Sequence, residues 1–494
     1  MLIYSTDGND LELTFEPDYY ELRLDLRKKT FEIPALLRGK KNTIITIRDI
    51  VEQGQYRGRT KKKILFLASI LHETDFFVDI ELQHLEDILG LIEEKHHSRL
   101  IISCHNNSDC SLRKHLQKIK EMKKISCFFY KFVFYIPEYA HFFVVLQALQ
   151  KKEIAYCFFT YGHSAFLSRI LYKHCGSKAV YFGKKEKETA AEQITEYDVQ
   201  RYNLLNITAQ TRLGGIIGDQ KVHYSLGLSY YNQYFQQNNC DAIYIPFPIN
   251  PIFLGSELYL KEVEDLIQLA YRYPNLFYGF SITSPFKSWF PICLLNAAKK
   301  KEQREVKVEF ISEQKKIVPS LTQQAVDLRL PHMINLWIPR TNKQLLTDEH
   351  AFMKSFHQLE ITPKTPIILV GRGAMAKKAI DLLRTNTIYW LNDNDHWEEN
   401  STHKKLRRIH EYDPTYDTCL INATPVTRLL DLLRQHQIHH FNKVIDLPYS
   451  TQPTEIISYC QNNNLRYVDG YQFWEWQSEN QLVEFLQEMR VYDV

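Results

Sequence analysis

The sequence predicts a multidomain α/β protein: an N-terminal (β/α)8 barrel of parallel strands, then two further α/β units, the last with a doubly wound sheet. Three observations predict it. The chain has 494 residues, several times the usual size of one domain. Short apolar or β-branched runs recur up to Gly183, with polar, helix-compatible segments between several of them. From Leu213 the texture changes to glycine turns between new β-branched runs.

Composition agrees. A chain that is 44% hydrophobic and 24% charged folds, which excludes a disordered or fibrous protein. Lysine plus arginine exceeds aspartate plus glutamate by 61 to 58, and a formal charge of +3 over so large a surface implies no nucleic-acid partner. The 9 cysteines include no CxxC pair and no metal-finger spacing, so no metal is expected and a reducing cytoplasmic compartment fits best. The opening MLIYSTDGND turns acidic too soon for a signal peptide. The most apolar stretch, from Cys127, contains Lys131, Pro137, Glu138 and His141, which makes it buried strand, turn and helix rather than a membrane span.

The barrel runs, in order, are MLIYST, YELRLDL, TIITIR, FFVDIEL, LIISCH, CFFYKFVFY, IAYCFF and AVYFG. Polar residues fall at telling places within them. Glu21 and Arg23 lie in the second, Arg48 ends the third, Asp79 and Glu81 lie in the fourth, His105 ends the fifth, and Lys131 interrupts the sixth. One such charge alone is as readily a salt bridge or a snorkelling edge residue. A series on consecutive strands points to a positive, acid-base-competent pocket at the carboxyl ends of the strands. Lys131, among Phe128, Phe129, Tyr130 and Phe132, is placed to be a desolvated, nucleophilic amine with a carbonyl compound as its electrophile. His105 can exchange protons near neutral pH, and Arg23, Arg48 and Arg169 can hold a carboxylate and hydroxyls in their donor forks.

Behind the polar, helix-prone segment GKKEKETAAEQITEYDVQRYN, the runs LGGIIGD, DAIYIPFPI and NLFYGFSITSPFK form a second α/β unit from about residue 210. A third starts at PIILVGRGAMAKKAIDLL, where a strand runs through Val370 into Gly371, Gly373, Ala374 and a helix; IYWLND, TCLINATP and NKVIDLPY add strands. Taken alone, Lys287 in GFSITSPFK is as well a solvated surface lysine, and the glycine turn is as well a plain strand-to-helix connection.

Over about residues 1–200 the order of these motifs resembles type I 3-dehydroquinate dehydratase. ELR at Glu21–Arg23, TIRDIVE at Thr46–Glu52, DIE at Asp79–Glu81, SCH ending at His105, Lys131, GHSAFLSRI with Ser168 and Arg169, GS at Gly176 and Ser177, and TAAEQ ending at Gln193 follow its barrel-strand motifs in sequence. The resemblance implies that Lys131 forms a Schiff base with the substrate ketone and that His105 is the general base. It implies further that Glu21, Arg23, Arg48, Arg169 and Gln193 bind the polyhydroxy acid and that Glu52 supports them. Ala191 and Glu192 stand where the family has Pro-Gly.

From about Leu213 to Val494 the chain resembles shikimate dehydrogenase. HYSLGLSYYN, GFSITSPFK, TDEHAF, GRGAMA, NATPV, DLPY, QPTEI and DGYQFWEWQ carry the likeness. It implies a substrate domain over 210–350, completed by part of 450–494, and a Rossmann-like nucleotide domain over 351–449, behind a barrel over 1–205. It implies catalysis by Lys287 and Asp348, substrate contacts from Ser225, Thr283, Asn335, Tyr449 and Gln477, and dinucleotide contacts from Gly371, Gly373, Ala374, Asn392, Asp393, Asn422 and Thr424. Gly227, Ser281 and Leu346 replace a serine and two asparagines of the family pattern. Asp393 stands where an arginine usually faces the 2′-phosphate of NADP, so NADP, NAD and lost nucleotide binding all stay open. Together the halves imply two consecutive steps on small molecules, 3-dehydroquinate to 3-dehydroshikimate to shikimate. The alternative is a dehydratase carrying a degenerate or repurposed dehydrogenase-like module. The oligomeric state is not fixed by the sequence.

Overall fold

The computed structural model describes residues 1–490 except 30, 35, 36, 38, 39, 41, 107–110, 122–124, 137, 138, 163, 186–188, 191, 250, 251, 255, 256, 260, 307–332, 392–405, 414–416, 426, 427, 450 and 451. The chain forms two units, Met1–Leu276 and Phe277–Val494. No helix among the described residues is long and apolar enough to cross a membrane.

In the first unit each expected run becomes a strand: β1 Leu2–Thr6, β2 Tyr19–Arg23, β3 Thr43–Thr46, β4 Phe77–Glu81, β5 Leu100–Asn106, β6 Phe129–Tyr135, β7 Tyr156–Tyr161 and β8 Val180–Gly183. A two-residue β9, Ile194–Thr195, adds to β8. All are parallel and form one curled, barrel-like sheet ordered β7-β6-β5-β4-β3-β2-β1-β8-β9. The two ends of the curl meet. Lys178 N–H donates to the Tyr156 carbonyl at 2.8 Å, while the Phe158 and Thr160 N–H groups of β7 donate to the hydroxyls of Ser177 and Ser168 at 2.9 and 3.1 Å. These hydroxyls satisfy donors that would otherwise be left on a sheet edge.

Register places the polar residues. Ser5 sits opposite Glu21, Arg23 opposite Thr46, Thr46 opposite Asp79, Glu81 opposite Ser103, and Ser103 opposite Lys131. Partners in a parallel ladder share a face, so these side chains gather on one side of the sheet. The helix Thr60–Glu73 buries Ile64, Leu67, Ala68, Ile70 and Leu71.

The rest of the first unit holds the parallel pair β10 Arg212–Gly218 and β11 Ala242–Pro248, and the antiparallel pair β12 Ile252–Leu254 and β13 Glu257–Tyr259. The Asn232 side chain knits the helix Leu226–Gln237 to β11, donating to the Leu228 and Tyr244 carbonyls and accepting from the Tyr244 N–H.

The second unit begins with antiparallel β14 Phe277–Ile282, β15 Leu336–Ile338 and β16 Lys343–Leu345. Six parallel strands follow: β17 Ile367–Val370, β18 Ile388–Leu391, β19 Leu406–Arg408, β20 Cys419–Asn422, β21 Lys443–Asp446 and β22 Arg466–Val468. Their order is β19-β18-β17-β20-β21-β22, which reverses between β17 and β20 as in a doubly wound sheet. Alternation divides the core. Ile367, Leu369, Cys419, Ile421 and Ile445 pack on one face; Ile368, Val370, Leu420 and Val444 pack on the other. The helix Gly470–Arg490 packs Phe473 edge-on against Phe352 at 5.0 Å.

Candidate active site

Glu21, Arg23, Arg48, Glu52, His105, Lys131, Arg169 and Gln193 all line one cavity of about 650 Å³ in the first unit. Lys131 Nζ lies 3.4 Å from Glu21 Oε1 and 3.3 Å from Asp79 Oδ2. Its setting is therefore not the wholly apolar one its sequence neighbours suggest, because strand alternation sends Tyr130 and Phe132 to the opposite face. Glu21 is buried and also accepts from the Ser5 hydroxyl and from Thr46 Oγ1 at 2.9 Å. Arg48 Nη2 pairs with Asp79 at 2.7 Å, and Ser103 Oγ donates to Asp79 Oδ1 at 2.6 Å.

The carboxyls of this network are pushed in opposite directions. Burial raises Glu52 to about 7, with Glu81 and Asp79 adding to the push and Arg48 opposing it. Burial also pushes on Asp79, but Arg48, Lys131 and the Ser103 hydroxyl overcome it and hold that carboxyl well below its ordinary range. Burial, with Arg48 and Lys131 as neighbouring cations, brings His105 well below its ordinary range, so the imidazole is neutral. His105 Nδ1 is 2.8 Å from Glu52 Oε2. With Nδ1–H donated to Glu52, Nε2 is left as the basic nitrogen.

The three arginines differ. The Arg23 fork is engaged by Asp25 at 3.0 and 2.8 Å, and its Nη1 donates to the Thr189 carbonyl at 2.9 Å. Arg48 is bound by Asp79. Buried Arg169 donates only to the Thr160 and Ala165 carbonyls, each at 2.8 Å, and has no ion-pair partner among the described residues. Burial lowers its pKa, which Tyr161 and Glu192 partly counter. Gln193 accepts from Thr189 N–H through Oε1 at 3.0 Å, so its amide nitrogen is the end that can donate to a ligand. Glu192 adopts the left-handed backbone a glycine favours, φ 56°, and its carboxylate accepts from Gly162 N–H at 3.0 Å.

In the second unit Lys287 Nζ donates to Asp348 Oδ2 at 2.7 Å. Buried Asn335 accepts from Thr347 N–H at 2.7 Å, and its Nδ2 is buried without a partner among the described residues. Gln481 joins this network, donating to the Asn335 carbonyl at 3.2 Å and to Thr347 Oγ1 at 3.1 Å while accepting from Ser281 Oγ at 2.6 Å. Gln477 is half-buried on the same helix, one turn earlier. Thr283 is half-buried after β14, and Tyr449 is exposed after β21. Ser225 belongs to the first unit, where its hydroxyl caps the helix Leu226–Gln237 through Gly227 N–H at 3.3 Å.

The residues around β17 fit a dinucleotide. Gly371 has φ 115°, and an added Cβ would come within 2.9 Å of the Ala423 carbonyl oxygen. Gly373 precedes the helix Ala374–Leu382, whose first turn has no side-chain cap, and a Cβ there would meet nothing within 4 Å. Open space before uncapped N–H groups suits a phosphate. Asn422 donates to Asp446 at 2.7 Å and accepts from Thr424 N–H at 3.2 Å, so it shapes the loop at the point where strand order reverses. Asn392 and Asp393 lie outside the described residues.

Residues 10–208 match the family model of type I 3-dehydroquinase. The N-terminal region is a dehydroquinase domain. No curated protein matches the chain. Among solved structures, the dehydroquinate dehydratase and shikimate dehydrogenase of S. pombe is 15% identical over 99% of this chain and 97% of that one, with a TM-score of 0.37. Shikimate 5-dehydrogenase of Listeria monocytogenes, in complex with shikimate and NAD, is 17% identical over 57% of this chain and 94% of that one, with a TM-score of 0.40. Shikimate dehydrogenase 1 of Peptoclostridium difficile is 16% identical over 57% and 95%, with a TM-score of 0.37. Likenesses this distant carry no functional weight.

Asp79, one of the strand charges that pointed to the pocket, contacts Lys131, and the dehydroquinase domain adds site residues to which sequence patterns assigned no role: Ser5, Thr46, Ser103, Thr189 and Tyr181. The small hydroxyl residues and the tyrosine carried no signal. Among the described residues of the domain, two groups bring three possible metal ligands together, Asp49, Glu81 and His84, and His72, Glu93 and His96. In the first, Lys63 Nζ already supplies the cation, 2.8 Å from Asp49 and 2.9 Å from Glu81. In the second, Arg99 donates to His96 Nδ1 at 2.6 Å, which favours the tautomer with the proton on Nε2 rather than a free ligand nitrogen.

Proposed function

We propose that the chain dehydrates 3-dehydroquinate to 3-dehydroshikimate through an imine on Lys131 and then reduces that product to shikimate with a nicotinamide cofactor. The observation that carries the first step is the shared cavity of Lys131, the His105–Glu52 pair and Arg169. A buried guanidinium with no carboxylate partner among the described residues is a fit for the carboxylate of a small acid. The neutral Lys131 amine adds to the ketone, and the resulting iminium draws electrons from the neighbouring carbon. His105 Nε2 takes the proton from that carbon, and Glu52 steadies the imidazolium that forms. The β-hydroxyl then leaves as water, with the same imidazolium as proton donor, and hydrolysis of the iminium frees the product and the amine. Glu21, Arg48 and Gln193 orient the hydroxyls.

For the second step the support is the motif order, the Lys287–Asp348 contact and the unpartnered amide of Asn335. Gly371, Gly373 and the N–H groups opening the helix Ala374–Leu382 would hold the cofactor pyrophosphate. When bound, the nicotinamide supplies a hydride. Lys287 delivers a proton to the ketone oxygen and Asp348 holds the lysine in place, with Thr283, Asn335, Tyr449 and Gln477 positioning the ring. We assign dehydration to residues 1–205 and reduction to 210–350, part of 450–494, and 351–449.

The test is a coupled assay on the purified chain with 3-dehydroquinate and NADPH or NADH. Lys131→Ala is expected to abolish dehydration and the borohydride-trapped adduct while leaving reduction of added 3-dehydroshikimate intact. Lys287→Ala is expected to lower reduction by at least ~100-fold and leave dehydration unchanged. Dehydration without reduction by either cofactor would make the second half a binding or structural module; no adduct on the wild-type chain would reject the imine.

A further inference from the structure

Tyr181 of β8 lines the cavity and has no role in the steps above. It is 7% exposed, its ring centroid lies 3.9 Å from Lys131 Nζ, and Phe159 meets it edge-on at 5.8 Å. Its hydroxyl is buried without a hydrogen-bond partner among the described residues. Burial, together with Glu21 and Asp79, pushes the phenol well above its ordinary range, so the ring is a neutral π face.

Nζ thus has three close charge partners: Glu21 Oε1, Asp79 Oδ2 and the ring. Imine formation changes what each can do. The neutral amine adds to the ketone carbon, one proton is taken up, the carbonyl oxygen departs as water, and the nitrogen ends as an iminium with a single N–H. An ammonium offers three donors to the two carboxylates, whereas the iminium keeps one. Attraction between a cation and a ring face needs no N–H and survives the change.

Resting on the imine reading of this cavity, we propose that Tyr181 is a catalytic residue: its ring face is the fixed partner of the charge on the Lys131 nitrogen while hydrogen bonds to the carboxylates are given up. The ring, not the hydroxyl, does this.

The experiment compares the full chain with Tyr181→Phe and Tyr181→Leu, reading the fraction trapped by borohydride at subsaturating 3-dehydroquinate, the dehydration kcat, and thermal melting. Tyr181→Phe is expected to trap and turn over within about twofold of wild type, because the ring is kept. It should also melt higher, because a buried hydroxyl without a partner is gone. Tyr181→Leu is expected to lower the trapped fraction and kcat by about tenfold while still melting cooperatively. If the leucine variant does not melt cooperatively, Tyr181→Met is read by the same criterion. Wild-type trapping in the leucine or methionine variant, or an equal fall in the phenylalanine variant, overturns the proposal. Absence of any adduct on the wild-type chain overturns the imine reading and this proposal with it, so the two failures are distinguishable.

Discussion

Replacing Glu52 with glutamine probes the acid-base arrangement of the dehydroquinase cavity directly. Burial raises this carboxyl from 4.5 to about 7, so the folded chain keeps a proton that the unfolded chain releases earlier. Below pH 4.5 the group is protonated in both states and its contribution to stability is fully present. As pH rises through about 7 that contribution is lost, and above this window it stays lost. The interval, at about 1.4 kcal/mol per pH unit, is worth roughly 3 kcal/mol. Glutamine cannot titrate, so the stability of Glu52→Gln relative to wild type should rise by roughly 3 kcal/mol between pH 4.5 and pH 8. All 6 tryptophans lie in the second unit, so their emission does not report the first. The measurement is therefore urea-dependent amide exchange in peptides covering β3, β5 and β6 at the two pH values. A stability difference that stays constant across the interval would refute the raised carboxyl. The variant should also lose most dehydratase turnover, since an amide oxygen can still accept from His105 but carries no charge to steady the imidazolium.

Lys63→Met leaves buried Glu81 without its nearer cation, with Arg48 standing 4.0 Å off, and is expected to destabilise the first unit by about 3 kcal/mol, read as a lowered urea midpoint. Adding Glu81→Gln to that variant should restore part of the loss. Gly373→Ala should leave thermal melting unchanged, since its Cβ meets nothing, but weaken nicotinamide nucleotide binding at least about tenfold in a fluorescence titration. Gly371→Ala, at φ 115° and against the Ala423 carbonyl, should instead lower stability by about 1–3 kcal/mol with or without nucleotide.

The strands were legible because each barrel run is short, apolar and β-rich, which is what a parallel sheet buried on both faces requires. The cavity was legible because carboxylates, arginines, a histidine and a lysine inside such runs have few other places to go. Alternation explains most of what was misread. Phe132, next to Lys131 in sequence, turns to the opposite face of the strand, while Asp79 and Glu21, on other strands, pair with the lysine. Arg23 looked like Arg169 in sequence; only the fold shows that Asp25 engages the first, while the second has no ion-pair partner among the described residues. Tyr181 in AVYFG is indistinguishable from a core aromatic until its height on the sheet is known. Gln481 was invisible for a similar reason, since a glutamine on a long helix carries no sign of the face it turns inward.

The join between β7 and β8 has a mechanical consequence. Elsewhere neighbouring strands of the curl are zipped by backbone ladders, but here, among the described residues, the Lys178 N–H, the Ala179 N–H on Cys157 Sγ at 3.2 Å and the hydroxyls of Ser177 and Ser168 hold the wall together. Breathing of the cylinder should begin along that line, so Phe158 and Thr160 amides exchange with solvent sooner than their burial suggests. The strand bearing Tyr181 then borders the weakest line of the wall, and exchanging either serine for alanine alters how often that wall parts without altering a single group inside it.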